Sequence, residues 1–182
     1  MKHFRPLFVI MLMAYALGIS SVWADSYSIG WGGASDSQDP YKNFTTTSGD
    51  IENVVSFSSD KESSSTAPTY NANSKELRLY YNANGNGGSI TLTPAQGVTI
   101  TGFVMTCSTE PSVKYFVDNG NAASISADNK TYSASNISAT ASLKIQNANT
   151  TNTQLRIKAI KITYTKSSTP EPTSFREPLY AV

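Results

Sequence analysis

Apolar residues in this chain recur at spacing two, in short runs broken by glycine, asparagine and serine. No window of about eleven residues or more carries a helical period. A segment that alternates at every residue presents one apolar face only when it is extended, so such a chain has to satisfy its backbone by pairing strands. The runs expected to do so are Tyr27–Ile29, Asn53–Phe57, Glu76–Tyr81, Ser89–Thr93, Val98–Cys107, Ser112–Val117, Ala123–Ser126, Thr131–Ser133, Ala141–Gln146 and Gln154–Thr165. Parallel neighbours would need crossover helices, and none is in view. The expectation is therefore an all-β fold: an antiparallel two-sheet β-sandwich of jelly-roll type with about ten short strands.

Two of these runs depart from strict alternation in the same way. Ile100, Phe103, Met105 and Cys107 follow a spacing of three, two, two, and so do Ile157, Ile160, Ile162 and Tyr164. One extra residue in each strand, at Gly102 and near Ala159, would return all four side chains to one face. A β-bulge supplies such a residue and bends the strand around a curved core.

The stretch TAPTYNANSKELRLYYNANGNGGSITLTP poses a different question, because it holds a double tyrosine. Leu77, Leu79 and Tyr81 alternate with Glu76, Arg78 and Tyr80, so adjacent tyrosines on one strand must point to opposite faces. Tyr81 is expected to follow the leucines inward and Tyr80 to share the outer face with Arg78. The Asn82–Gly88 segment tolerates positive φ and is expected to close a hairpin, with Ile90 and Leu92 on the returning strand.

The amino end has the features of an export signal. Lys2 and Arg5 precede the apolar run Leu7–Ile19, and Val22-Trp23-Ala24 places small residues where a signal peptidase reads. Cleavage after Ala24 is expected, leaving Asp25–Val182 as a secreted chain, extracellular or periplasmic. The apolar run is shorter than the roughly 20 residues that span a bilayer, so no membrane span is expected after cleavage. His3, the single histidine, leaves with the leader, and with it the usual base of serine and cysteine nucleophile schemes. Removing Lys2 and Arg5 from the 14 basic residues leaves 12 against 13 acidic ones. That near-neutral balance does not suit a nucleic-acid binder. Cys107 is the single cysteine, so no internal disulfide forms. A chain without staples has to rely on a core that buries about 70% of the unfolded surface. The apolar neighbours of Cys107 mark it as a buried thiol.

The segments APTYNANSKELRLYYNANGNGGSITLTP, GVTITGFVMTCS and RIKAIKITYTK resemble the small β-sandwich modules of largely uncharacterised exported proteins from gut and oral Gram-negative bacteria. The similarity covers Ile51 to Lys166. It implies a sandwich that resembles carbohydrate-binding modules in outline, and it implies no catalytic signature, since fold does not fix function.

Sugar recognition on such a module needs an aromatic face beside amides or guanidinium groups. The candidates are Trp31, Tyr41, Arg78, Tyr80, Asn82 and Asn84. Trp31 is flanked by Gly30, Gly32 and Gly33, which leaves its ring either accessible or free to plug the end of the sandwich. Asp25, Asp36, Asp39, Asp50 and Glu52 offer oxygen ligands at a spacing that matches no EF-hand loop, and no metal or cofactor is expected. Glycosidase chemistry would need two carboxylates at a suitable separation. Glu52, Asp60, Glu62, Glu76, Glu110 and Asp118 are available, but all sit in polar or turn-like surroundings that give no sign of a raised pKa. The reading is a secreted, non-catalytic binding module of residues 25–166, with a glycan as first ligand and an adhesive role toward a protein as the alternative. The Pro/Ser/Thr-rich residues 167–182 are expected to form a tail.

Overall fold

The computed structural model describes residues 24–32 and 40–167. The leader through Trp23, the loop bearing Asp36 and Asp39, and the tail beyond Ser167 lie outside the described residues. Among the described residues there is no helix, and so none long and apolar enough to cross a membrane. Thirteen strands occur: β1 (Ala24–Gly30), β2 (Tyr41–Asn43), β3 (Ser48–Ile51), β4 (Val55–Asp60), β5 (Thr69–Asn71), β6 (Glu76–Leu79), β7 (Ser89–Pro94), β8 (Val98–Cys107), β9 (Val113–Val117), β10 (Ala123–Ile125), β11 (Thr131–Ala139), β12 (Leu143–Asn147) and β13 (Leu155–Lys166). Each of the ten expected runs overlaps one of these strands. The three that periodicity missed, β2, β3 and β5, are only three or four residues long, too short to show an alternation.

The strands form a two-sheet sandwich. One sheet is seven-stranded, with the order β11-β8-β13-β1-β2 and with β6 on β13 and β5 on β6. The other is six-stranded, with the order β10-β9-β12-β7-β4-β3. All pairings are antiparallel except β1 with β2, which run parallel. Between the sheets lies one core, in which Ile29, Leu77, Ile100, Phe103 and Ile160 of the first layer meet Phe57, Ile90, Leu92, Leu143 and Ile145 of the second. Edge-to-face ring contacts link the layers at Trp31–Phe57, 5.4 Å apart, and at Phe103–Tyr115, 5.6 Å apart. That geometry suits the ring quadrupoles.

Both expected bulges are present in the β8–β13 pair. Ile157 faces Cys107 and Ala159 faces Thr106, so Lys158 is the extra residue on β13. Thr163 faces Gly102 and Tyr164 faces Ile100, so Thr101 is the extra residue on β8. The result is the burial that the spacing demanded: Ile100, Phe103, Met105 and Cys107 face inward, as do Ile157, Ile160, Ile162 and Tyr164.

The expected hairpin between β6 and β7 does not form. β6 pairs with β5 and β13 in one sheet, whereas β7 pairs with β4 and β12 in the other. Alternation fixes which side of a strand is inside, and it leaves the neighbour open. Leu77 and Leu79 therefore satisfy the same core as Ile90 and Leu92 from opposite layers. The Asn82–Gly88 segment carries the chain across the gap. Gly88 N–H donates to the Tyr80 carbonyl (2.8 Å), and Gly87 N–H donates to the Asn147 carbonyl (3.0 Å). A Cβ on Gly87 would stand 2.4 Å from the Tyr80 oxygen, which explains the glycine. Because β6 stops at Leu79, the alternation does not extend to Tyr81. Its ring is half-buried and outside the core cluster, contrary to the inward position expected for it.

Candidate functional site

The outer face of the seven-stranded sheet gathers charge around one carboxylate. On β6 the leucines point inward, and Glu76 and Arg78 point away from the core. Glu76 is nonetheless covered, its side chain 2% exposed, because cationic side chains from β6 and β13 close over it. Arg78 Nε lies 2.9 Å from Glu76 Oε1, and Arg156 Nε lies 3.9 Å from the same oxygen. Lys158 Nζ, carried by the β13 bulge residue, lies 3.6 Å from Oε2. Ser108 donates its hydroxyl to Oε2 at 2.7 Å, and Arg78 Nη2 donates to Ser74 Oγ at 3.0 Å. The Lys158 ammonium also donates to the Ser74 carbonyl.

The register explains why a carboxylate is needed here. Arg78 and Arg156 are direct cross-strand partners, and like charges opposite one another destabilise a sheet. Glu76 sits between them and offsets that repulsion. Burial alone would raise its pKa, but the hydrogen bonds from Ser108, Ser74 and Arg78 and the charge of Arg78 outweigh it, holding the carboxyl below its ordinary value.

Of the residues expected at a ligand site, Arg78 and Tyr80 are brought together. Tyr80 lies just past the end of β6, half-buried, with its hydroxyl 3.3 Å from Thr69 Oγ1; Thr69 pairs with Arg78. Tyr41 is 46% exposed on β2, the edge strand of the same sheet. Asn82 serves the loop: its Nδ2 donates to the Ser63 carbonyl at 2.6 Å and its Oδ1 accepts from Asn84 N–H at 2.9 Å. Asn84 is exposed in that loop.

Trp31 offers no accessible ring. It is fully buried, and its Nε1 donates to the Thr46 carbonyl at 2.9 Å. The flanking glycines do not open space around the indole. A Cβ on Gly30 would meet Asn43, and a Cβ on Gly32 would meet Lys75, so they allow other chain segments to close over it.

Glu76, Arg156 and Lys158 were not among the expected site residues. The available signal was the pair Arg156 and Lys158 at spacing two on the last strand, a run of like charge on one face that calls for an anion. Which strand would supply the anion depends on pairing, which periodicity does not encode.

Two further groups have their chemistry set by the fold. Asp118 is half-buried and accepts the backbone N–H groups of Thr140, Ala141 and Ser142. Bonds from Ser142 and Thr140 above all lower its pKa to about 2. Cys107 is buried, and desolvation, reinforced by the nearby Glu76 charge, pushes its thiol far up. Cys107 is therefore expected to resist a thiol reagent in the native protein and to react fully in denaturant. Stoichiometric labelling within minutes under native conditions would contradict that placement. Among the described residues, no three of His, Cys, Asp and Glu are grouped as metal ligands.

Compared with models of known protein families the chain matches none, and compared with curated proteins it likewise matches none.

Proposed function

We propose that this protein is a secreted, non-catalytic binding module whose ligand is a carbohydrate, held on the outer face of the seven-stranded sheet around Arg78 and Tyr80. The observation that carries the reading is their juxtaposition. On this sheet face the Tyr80 hydroxyl reaches the Thr69 hydroxyl, and Thr69 is the cross-strand neighbour of the Arg78 guanidinium. Stacking on a sugar ring and hydrogen bonding to its hydroxyls need that combination. Tyr41, exposed on the edge of the same sheet, extends the surface available to a chain of sugars. Export is supported by the amino-terminal sequence, with its basic start, apolar run and small residues at Val22 and Ala24. The non-catalytic character is supported by Glu76 and Asp118. Their surroundings favour the ionised form, the reverse of what a general acid requires.

The test is a glycan array probed with the purified chain, followed by titration of the best ligand against Tyr80→Ala. The expected result is a loss of about tenfold or more in affinity, on the scale of one aromatic contact, with little change in the thermal midpoint. Affinity unchanged in Tyr80→Ala, or no glycan bound at all, would contradict the proposal.

A further inference from the structure

We infer that the sugar this face selects is anionic, bearing a carboxylate or a sulfate, and that Arg156 and Lys158 select it. The inference rests on the carbohydrate reading above and narrows it to a ligand class.

The charge count at the site does not close. Three cations, Arg78, Arg156 and Lys158, converge on the single carboxylate of Glu76, leaving a surplus of positive charge on one patch of a protein that is otherwise near neutral. The hydrogen bonds to Glu76 are not shared equally. Its Oε1 accepts from Arg78 and its Oε2 from Ser108. Arg156 and Lys158, at 3.9 and 3.6 Å, feel its charge without a hydrogen bond to it. Arg156 spends its Nε on Gln154 Oε1 at 3.0 Å, and its side chain remains 38% exposed. The guanidinium edge beyond Nε has the fork geometry that grips a carboxylate or sulfate through two parallel bonds. Lys158 is 32% exposed beside it and adds a second positive charge.

An anion arriving from solution would complete the neutralisation that Glu76 begins, and it would relieve the Arg78–Arg156 opposition from outside as Glu76 does from beneath. A neutral sugar would leave that opposition in place. Tyr80 reaches Thr69, which flanks Arg78 on β5, while Arg156 flanks Arg78 on β13, so a sugar on the Tyr80 side would extend across Arg78 to set its anion at Arg156 and Lys158. A patch of this kind acts over roughly a Debye length, about 8 to 10 Å at ordinary ionic strength, so its contribution weakens as salt is raised.

The test uses the full chain and two matched pairs of polymers: polygalacturonate with its methyl-esterified form, and dextran sulfate with dextran. Polyglutamate serves as an anionic polymer without sugar rings. The expected result is that the charged member of at least one pair binds about tenfold more tightly than its neutral partner, and that the preference shrinks with added salt. Arg156→Gln and Lys158→Gln, which leave the Arg78–Glu76–Ser108 bonds in place, should each reduce that preference several-fold while the circular dichroism spectrum and thermal midpoint stay near those of the parent. The pair that responds distinguishes carboxylate from sulfate. Equal binding of charged and neutral members would overturn the inference and leave the carbohydrate reading standing. Equal binding of polyglutamate would also overturn it, by showing that charge alone is recognised. Failure to bind any of these polymers or any neutral glycan would overturn both.

Discussion

Trp31→Ala is expected to lower the free energy of unfolding by about 3–5 kcal/mol, the range for truncating a large buried aromatic. The indole is fully buried, so its removal leaves a cavity where the end of β1 meets the second sheet. It also removes an edge-to-face contact with Phe57, which in turn packs edge-to-face on Phe44 at 4.8 Å. The Nε1 bond to Thr46 ties the segment between β2 and β3 to the core, and that tie goes too. Trp31→Phe separates the contributions. It restores most of the volume and leaves the Thr46 carbonyl to find water, so its cost should be about 1–2 kcal/mol. Urea unfolding of the three proteins provides the comparison. A change below about 1 kcal/mol in Trp31→Ala would mean that the ring is not in the core.

Glu76→Ala is expected to cost about 2–4 kcal/mol. Removing one member of a fully buried ion pair costs roughly 3–5 kcal/mol. Here the value is reduced because Arg78, Arg156 and Lys158 are 22%, 38% and 32% exposed and water screens them. What remains is the repulsion of Arg78 and Arg156 across the strand pair, with no anion between them. The pH dependence follows from the direction of the shift. The folded carboxyl binds its proton less readily than the unfolded one, whose ordinary value is 4.5. Its stabilisation is therefore fully present above that value and lost as the pH falls through the lower folded value. Thermal midpoints measured from pH 7 down to pH 3 should fall in the parent once the pH drops below about 5. In Glu76→Gln, which keeps the shape and loses the charge, the fall should be shallower. Asp118, held at about 2 by its backbone donors, leaves a residual acid slope in both proteins. Superimposable slopes would contradict the role assigned to Glu76.

The residues show where sequence reading reaches and where it stops. Spacing alone located both bulges to within a residue, at Thr101 beside Gly102 and at Lys158 beside Ala159, because inward and outward positions are a local property of the chain. The same alternation placed Leu77 and Leu79 inside and Arg78 outside. It could not decide whether β6 would lie beside β7 or face it across the core, since either arrangement buries the same leucines. That choice was made by pairings distant in sequence, β6 with β13 and β7 with β12. The candidate site was partly legible for the same reason. Arg78 follows from periodicity along β6, whereas Tyr80 lies past the end of that strand and is placed by its contact with Thr69, and the cluster around Glu76 exists only once β13 is placed alongside. The glycine neighbours of Trp31 are compatible with an accessible ring and with a plug, because small neighbours permit either outcome. Here they let Asn43 and Lys75 approach and close the space.

The outer face of the six-stranded sheet supplies an internal comparison for the functional reading. Phe116 there lies beneath the ammonium groups of Lys144 and Lys114, at 4.6 and 5.8 Å from the ring centre. Those cations occupy the ring that a sugar would need, and Lys144 is further engaged by Glu62 at 3.3 Å. A nitrogen–proton correlation spectrum recorded during titration with an acidic oligosaccharide therefore tests the central claim most directly. The account predicts that the amide and side-chain signals of Thr69, Arg78, Tyr80, Arg156 and Lys158 move together along one saturable curve while those of Lys114, Phe116 and Lys144 stay in place. Perturbations centred on Phe116, or none at saturating ligand, would contradict it.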